Sequence, residues 1–358
     1  MRYVPTDDLT EGMVLGKPLY GHRGELMLER DMTLTRDMIK RIKQLQYSGL
    51  YAKDDFSEGL EIRDVVSDEV RYKMVTSMRS LMVDAGAEKR VRLQNNMLNI
   101  SQYLEQLVEE IMSSDSIVFN IIDIKQFDLY TYQHSVNVCI LCCILGKIYN
   151  MPREQLLRLA WAAVLHDVGK VFIDKAILNK PGNLTTEEFD VMKTHPRQGS
   201  EWIKKSGLPY TVVAAVLQHH EKFNGGGYPS GRKENDILLF ARIIAVADVY
   251  DAITSNRPYR EPILPSEAYE YILGNSGQAF HPEVVEVFVK KVAPFPLGVQ
   301  VQLSNGIKGI VFKNYEDCLT RPLIKVRPEP GQPTEEDVFI DLKNDVDAYS
   351  VTIQKVLM

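Results

Sequence analysis

Over roughly the first 55 residues the apolar positions come in short clusters: Tyr3-Val4, Met13-Val14, Leu19-Tyr20 and Leu26 to Leu28. They are punctuated by Gly12, Gly16, Gly21 and Gly24, a pattern that predicts short strands joined by turns. Thr35 then stands where a helix cap belongs, ahead of Met38, Ile39, Ile42 and Leu45 on one helical face, with Gly49 as the expected stop. From about Glu61 to Ser114 there is no proline and Gly86 is the only glycine. Met97, Ile100, Leu104, Leu107 and Ile111 recur there at alternating three- and four-residue spacing, the signature of a helix with a packing seam. Two readings of that seam stay open: a linker helix lying on its own domain, or a helix that pairs with a second copy of the chain.

From about 115 to 292 the pattern stays helical. The run HSVNVCILCCILGKIY, starting at His134, is apolar on every side, as a central buried helix would be. Pro152 precedes a second helix through Leu157, Ala160, Trp161 and Val164 toward His166. Thr185 followed by Glu188 is a capping box for a third helix, which carries Phe189 and Met192. After Pro294-Phe295-Pro296 the period switches to alternation, with Val299, Val301 and Leu303 before Asn305-Gly306 and Ile310 after it, a hairpin signal. Residues 327–337 read as a surface loop, and Val351, Ile353 and Val356 as a returning strand. The fold class expected is therefore mainly α. A small α+β unit (1–60) is followed by a helical linker (61–114), a helical bundle (115–292) and a small β unit (293–358).

With 45% apolar and 25% charged residues the chain matches an ordinary globular protein, and a net charge of -6 is not the footprint of a polymeric nucleic-acid binder. The start, MRYVPTDDLTEGM, has no apolar core of a secretory signal, and the apolar run Val138 to Gly146 is far shorter than the roughly 20 residues a membrane span needs. A cytoplasmic protein with no membrane contact is expected. Cys139, Cys142 and Cys143 share one apolar run and Cys318 stands apart, so reduced thiols are expected in place of disulfides.

Five of the seven histidines lie between His134 and His220. Together with two aspartates they form a series, His134, His166-Asp167, His195, His219-His220 and Asp248, in steps of roughly 24 to 32 residues. In an antiparallel bundle such steps take up a pair of helices and their loops, so each group can return to one level of the core. Adjacent helical residues point about 100° apart, so His219 and His220 can straddle two ions, while the two oxygens of Asp167 can bridge them. Imidazole with carboxylate suits iron, manganese, zinc or nickel. Two such cations activate water and clamp a phosphoryl group, which points to phosphoester hydrolysis. Any one buried histidine in a helix is more often plain core; the ordered set is what carries the argument. HHEKFNGGGYP adds glycines that let backbone N–H groups approach an anion, and Tyr228, whose ring can stack on a base; a helix-ending turn would use glycine in the same way. Arg257 and Arg260 follow Asp248 and Asp251 and suit bidentate phosphate contact, and Lys170 can neutralise a leaving oxygen.

HDVGK at 166–170, HHEKFNGGGYP at 219–229 and DVYDAITSNRPYR at 248–260 closely resemble the HD-GYP family of bacterial cyclic di-GMP phosphodiesterases, a branch of the HD hydrolases. The likeness spans about 120 to 290. It implies an all-helical domain that cleaves cyclic di-GMP to pGpG, and often onward to GMP, with divalent iron or manganese. By position, His134, His166, Asp167, His195, His219, His220 and Asp248 match the family's metal ligands. Lys170, Asp251, Arg257 and Arg260 match residues that hold phosphate or base, with Asp167 and Lys170 closest to the chemistry. Gly227, Tyr228 and Pro229 match the loop that shapes the substrate side of the site. Where three-metal members have a Glu one turn before the first histidine, this chain has Tyr130, and a phenol with a pKa of about 10 is a poor substitute; two metals are expected. A silent cyclic-dinucleotide-binding module, or the same chemistry on cyclic GMP-AMP, are the competing readings. A homodimer through the linker helix is the second of the two readings of its seam.

Overall fold

The structure is a computed structural model. It describes residues 1–21, 25–45, 47, 49–62, 64–86, 90–114, 130–255, 263–326 and 337–357. The expected surface loop at 327–337 falls almost wholly outside the described residues, as do Arg257 and Arg260.

Its centre is a helical bundle with one continuous apolar core. Helix α4 (Tyr130–Ile148) is buried on nearly every face from His134 to Leu145, which is why its sequence shows no polar stripe. Against it pack α5 (Arg153–Val164) and α10 (Leu239–Thr254), and α9 (Tyr210–Gln218) lies against both of these. Helix α8 (His195–Lys205) lies against α9 and against a 3-10 turn at Val168–Phe172. Two short helices, α6 (Lys175–Leu178) and α7 (Thr186–Met192), lead into α8. The capping box at α7 forms as the sequence predicts, with the Glu188 amide donating to the Thr185 hydroxyl and the Thr185 amide to the Glu188 carboxylate. Helices α11 (Pro265–Gly274) and α12 (Pro282–Val289) close the far side. Among the described residues no helix is long and apolar enough to cross a membrane.

The long helical stretch ahead of the bundle is a hairpin, α2 (Asp68–Gly86) and α3 (Arg90–Ser113). Ile100, Leu104, Leu107 and Ile111 are buried in the same core as α4 and α5. The seam read from the sequence is thus consumed inside the chain, and a homodimer through these helices would have to use other positions.

At the N-terminal end, β1 (Arg2–Pro5), β2 (Val14–Leu15) and β5 (Gly49–Lys53) form a sheet in the order β1-β5-β2; β3 (Leu19–Tyr20) pairs with β4 (Leu26–Leu28). Helix α1 (Arg36–Gln44) is capped by the Thr35 hydroxyl, as expected, but it ends at Gln44; Gly49 opens β5 and is not the stop. The C-terminal residues form a five-stranded antiparallel sheet ordered β10-β6-β7-β8-β9, from β6 (Gln300–Leu303), β7 (Lys308–Tyr315), β8 (Cys318–Val326), β9 (Val338–Asp341) and β10 (Ile353–Leu357). Asn305-Gly306 turns β6 into β7, with Gly306 at φ 84°. The two terminal units are not independent. Tyr3, Tyr51, Leu60 and Ile62 share a core with Val299, Val301 and Ile310, and the Tyr3 amide donates to the Gly298 carbonyl at 3.0 Å.

Candidate metal centre

Five segments bring the predicted histidines and aspartates to one level of the bundle. His134 comes from the first turns of α4, His166 and Asp167 from the turn after α5, and His195 from the first residue of α8. His219 and His220 follow the end of α9, and Asp248 sits within α10. The donor atoms divide into two groups, each drawn within 4.8 Å of one another: His134, His166 and Asp248; and Asp167, His195, His219 and His220. Asp167 joins the groups. One of its oxygens lies 3.3 Å from His195 Nε2 and 3.9 Å from His219 Nε2, while the other lies 3.4 Å from His166 Nε2 and 3.9 Å from His134 Nε2.

Three of the rings are oriented by their own local backbone. The Nδ1–H groups of His166, His195 and His219 donate to the carbonyls of Ala163, Met192 and Val216 at 2.7, 2.8 and 2.7 Å. In each case the carbonyl lies three residues earlier, where one helical turn presents it. That bond fixes the tautomer and leaves the Nε2 lone pair facing the site. His134 is held differently, its Nδ1 donating to Asp251 Oδ2 at 2.7 Å while Nε2 lies 3.1 Å from Asp248 Oδ1.

The electrostatics are those of a cation site. His166 Nε2 and Asp167 Oδ1 are buried without a hydrogen-bond partner, a condition that costs free energy unless something else occupies their lone pairs. Burial, reinforced by the neighbouring imidazoles, drives His219 well below the usual histidine range. His220 is pushed down to about 3, chiefly by burial. Both rings are thus neutral and able to donate electron pairs. Burial opposes ionisation of Asp167, yet the adjacent Lys170 ammonium and the polar surroundings hold it well below the carboxylate range. Asp248 is likewise held down, against burial, by the hydrogen bond from His134 and the nearby imidazoles. Neutral imidazoles facing ionised carboxylates, with orphaned lone pairs at the centre, fit divalent metal and disfavour a plain hydrogen-bonded core.

The rim is polar. Lys170 Nζ lies 2.5 Å from Asp167 Oδ2 with its side chain 30% exposed. The Tyr228 ring packs on His220 at 4.8 Å between centroids. Gly227 has no room for a side chain: an added Cβ would lie 2.4 Å from the Lys222 amide nitrogen and 2.5 Å from the His220 carbonyl oxygen. Pro229 follows Tyr228 through a cis bond. Asp251 differs from its expected role. It is buried, its carboxylate taking His134 on one oxygen and Asn137 Nδ2 on the other at 3.1 Å, with Ser255 Oγ close by. In this arrangement it braces the His134 ring. The side chain of Tyr130 lies outside the described residues.

Several residues of the site carried no expectation. Glu221, buried, accepts the amides of Ser230 and Arg232 at 2.8 and 2.9 Å and pins the loop that follows the paired histidines. Gly169 and Gly199 let the 3-10 turn and α8 touch backbone to backbone. Asn137 was hidden because a short polar residue inside an apolar run reads as an ordinary core exception, whereas Ser255 stands within the string at 248–260. Glu221 and Gly169 do stand within the motif strings, and that was the available signal.

A family model described as HD domain matches residues 116–284. Over 267 residues the chain is 33% identical to "Cyclic di-GMP phosphodiesterase PA4108" of Pseudomonas aeruginosa, covering 74% of this chain and 64% of that protein. Residues 116–284 thus match an HD domain, and the chain is similar to proteins named cyclic di-GMP phosphodiesterases. It is also 32% identical over 207 residues to "3'3'-cGAMP-specific phosphodiesterase 2" of Vibrio cholerae, covering 56% of this chain and 40% of that one. It thus spans less than two thirds of the length of either relative. Among solved structures, Bd1817, an HDG"Y"P protein from Bdellovibrio bacteriovorus, superposes with a TM-score of 0.50 at 16% identity, covering 80% of this chain and 97% of that one. That likeness speaks to the fold alone, which is mainly helical as the periodicity predicts.

Proposed function

We propose that the chain hydrolyses cyclic di-GMP to pGpG, and onward to GMP where the linear product rebinds, at a centre holding two divalent ions of iron or manganese. The observation that carries this reading is the sharing of Asp167 between two groups of buried donors whose lone pairs face one another. His134, His166 and Asp248 would hold one ion, His195, His219 and His220 the other, with Asp167 between them. Ions bound there would lower the pKa of water and neutralise charge on a phosphoryl group. The chain's own residues do the rest. The backbone carbonyls that fix the imidazoles keep the ligand geometry from relaxing, which is electrostatic preorganisation. Lys170, paired with Asp167 at the rim, presents an ammonium to a non-bridging or departing phosphate oxygen. Tyr228, set beside His220 by the tight Gly227 turn, offers an aromatic face to a nucleobase. Arg257 and Arg260 are assigned to phosphate by their motif.

The catalytic unit on this reading is 115–292, with the 61–114 hairpin packed on it, and units 1–60 and 293–358 as accessories. Four free cysteines support a cytoplasmic setting. Cyclic GMP-AMP is the second reading, favoured by the likeness to a relative named for that substrate.

The test is chromatographic product analysis of metal-loaded protein. Anaerobic Fe²⁺ or Mn²⁺ is expected to give pGpG from cyclic di-GMP, and Ca²⁺ to give none. Cleavage of cyclic GMP-AMP alone would move the assignment to the second reading, and nucleotide binding without product would make the chain a silent module.

A further inference from the structure

His134 is set apart from the other ring-oriented ligands. His166, His195 and His219 are each held by a carbonyl three residues back, within one turn of the same segment. For His166 and His219 that bond moves with the segment that carries it, and for His195 it spans the short link from the end of α7 to α8. His134 is held from across the bundle by Asp251 of α10, and the hold does not stop there. Asp251 takes its second hydrogen bond from Asn137 Nδ2 of α4 at 3.1 Å, and Asn137 Oδ1 accepts from Arg71 Nη1 of α2 at 2.8 Å. Asn137, Asp251 and Ser255 are buried, so bulk water does not compete for the bonds among them, while the Arg71–Asn137 bond is part-buried. A guanidinium donating to the amide oxygen fixes which end of Asn137 faces the carboxylate. A carboxylate anchored on one oxygen then fixes where its other oxygen meets His134.

Helix α2 lies between this chain of bonds and the N-terminal unit. Tyr72, the residue after Arg71, stacks on Tyr20 of β3 with ring centroids 5.3 Å apart and planes 12° from parallel. The Tyr20 carbonyl in turn accepts from the Tyr47 hydroxyl at 2.5 Å. Arg71 and Tyr72 point about 100° apart on the helix, so one turn of α2 faces the metal centre on one side and the N-terminal unit on the other.

We propose that Arg71 is a positioning residue for the metal centre, acting through Asn137 and Asp251 to set the His134 ring, so that metal affinity depends on how the N-terminal unit seats α2. The proposal rests on the assignment of His134 as a metal ligand. It does not depend on which nucleotide is cleaved.

The experiment measures Mn²⁺ affinity of the full chain by electron paramagnetic resonance of the free ion, with thermal unfolding of the metal-free protein alongside. Loss of outer partners of a ligand typically weakens binding about 10- to 100-fold. Arg71→Met is therefore expected to raise the Mn²⁺ Kd of one site by about tenfold, at the low end because two residues intervene. Arg71→Lys, which keeps a donor and the charge, should recover part of the loss and tests the idea should Arg71→Met fail to fold. Asp251→Asn should weaken Mn²⁺ at least as much, and the Arg71→Met/Asp251→Asn double variant should match Asp251→Asn alone, since both act through one ring. Tyr20→Leu should shift affinity in the same direction by a smaller factor.

A folded Arg71→Met within twofold of wild type, or effects that multiply in the double variant, would overturn the proposal. Unchanged affinity in Tyr20→Leu would overturn its link to the N-terminal unit. Wild-type protein that takes up no Mn²⁺ sinks the metal centre and the proposal together. Wild-type protein that takes up Mn²⁺ but yields no pGpG removes only the substrate assignment, leaving the Arg71 affinity ratio to decide.

Discussion

Replacing Gly169 by Ala adds one methyl group in the turn between Asp167 and Lys170, and the geometry says what that methyl meets. Its Cβ would lie 1.9 Å from the His195 carbonyl oxygen and 2.7 Å from the Gly199 amide nitrogen. Both are backbone atoms at the start of α8, so no side chain can rotate away. Restoring ordinary contact requires the turn and α8 to part by roughly 1.5 Å, and overpacking of that kind costs about 1–3 kcal/mol. The functional cost is larger. The displaced carbonyl belongs to His195 itself, whose Nε2 lies 3.3 Å from Asp167 and 3.4 Å from His219 Nε2. Separating these donors opens the second metal group while leaving His134, His166 and Asp248 in place. A misplacement of about 1 Å at a reacting centre can cost 10²-fold. Gly169→Ala is therefore expected to fold, to melt several degrees lower, to retain one ion where the proposed centre holds two, and to lose at least about 10²-fold in pGpG formation. Metal content by inductively coupled plasma mass spectrometry and turnover by chromatography read these directly. A folded variant with wild-type metal content and turnover within threefold would show that the α8 contact does not set the site.

Three further outcomes follow from the same geometry. His166→Ala with Asp167→Ala should abolish metal uptake and hydrolysis together, and hydrolysis that survived would mean the chemistry lies elsewhere. Metal-free protein should be most stable near pH 6.5: His134, raised to about 9 because hydrogen bonds to Asp248 and Asp251 outweigh its burial, lends roughly 3 kcal/mol that is complete below the unfolded pKa and lost as pH climbs through 9. Below pH 6.5 the buried neutral His219 and His220 act oppositely, because the unfolded chain takes up protons that the folded one refuses; urea midpoints that rise steadily from pH 6.5 to 9 would refute this account. Glu221→Ala frees the Ser230 and Arg232 amides and should raise KM for the cyclic dinucleotide by about tenfold with metal content unchanged; depletion of metal would instead make Glu221 part of the metal scaffold.

How far the fold could be read depended on whether a pattern had one physical cause. The α4 run is apolar on all sides because it is surrounded on all sides, and the capping box at Thr185 is local chemistry that tertiary packing has no reason to override. The seam at Ile100, Leu104, Leu107 and Ile111 was different. A stripe of that spacing is equally satisfied by a neighbouring helix of the same chain or of another one, and only the packing of α3 against α2, α4 and α5 decides for the former. The terminal units show the same limit. Tyr3, Tyr51 and Val299 each announce a buried face, but nothing in the local sequence says that the first strand and the sixth bury theirs against one another.

The candidate metal centre was legible for a related reason. A ligand set demands particular side chains, and their return at bundle-length intervals has no cheap alternative explanation, so the seven side chains that the fold gathers at one level could be named from the sequence. What surrounds them could not. Asp251 shows why: an aspartate one turn beyond Asp248 on α10 looks available to a substrate, and whether it turns outward or inward depends on what α4 presents to it. Since α4 presents both His134 and Asn137, the carboxylate gains a charge-assisted bond to an imidazole that burial would otherwise strip of its proton. The inward position wins because an unpaired carboxylate and an unbraced histidine would each cost more than the lost solvent contact. The same balance makes Asp251→Asn informative. An amide at this position presents either a second donor to the His134 N–H or an acceptor without full charge, so its effect on metal affinity should exceed that of any substitution confined to the substrate rim, such as Lys170→Met. Equal Mn²⁺ affinities in those two variants would return Asp251 to the substrate.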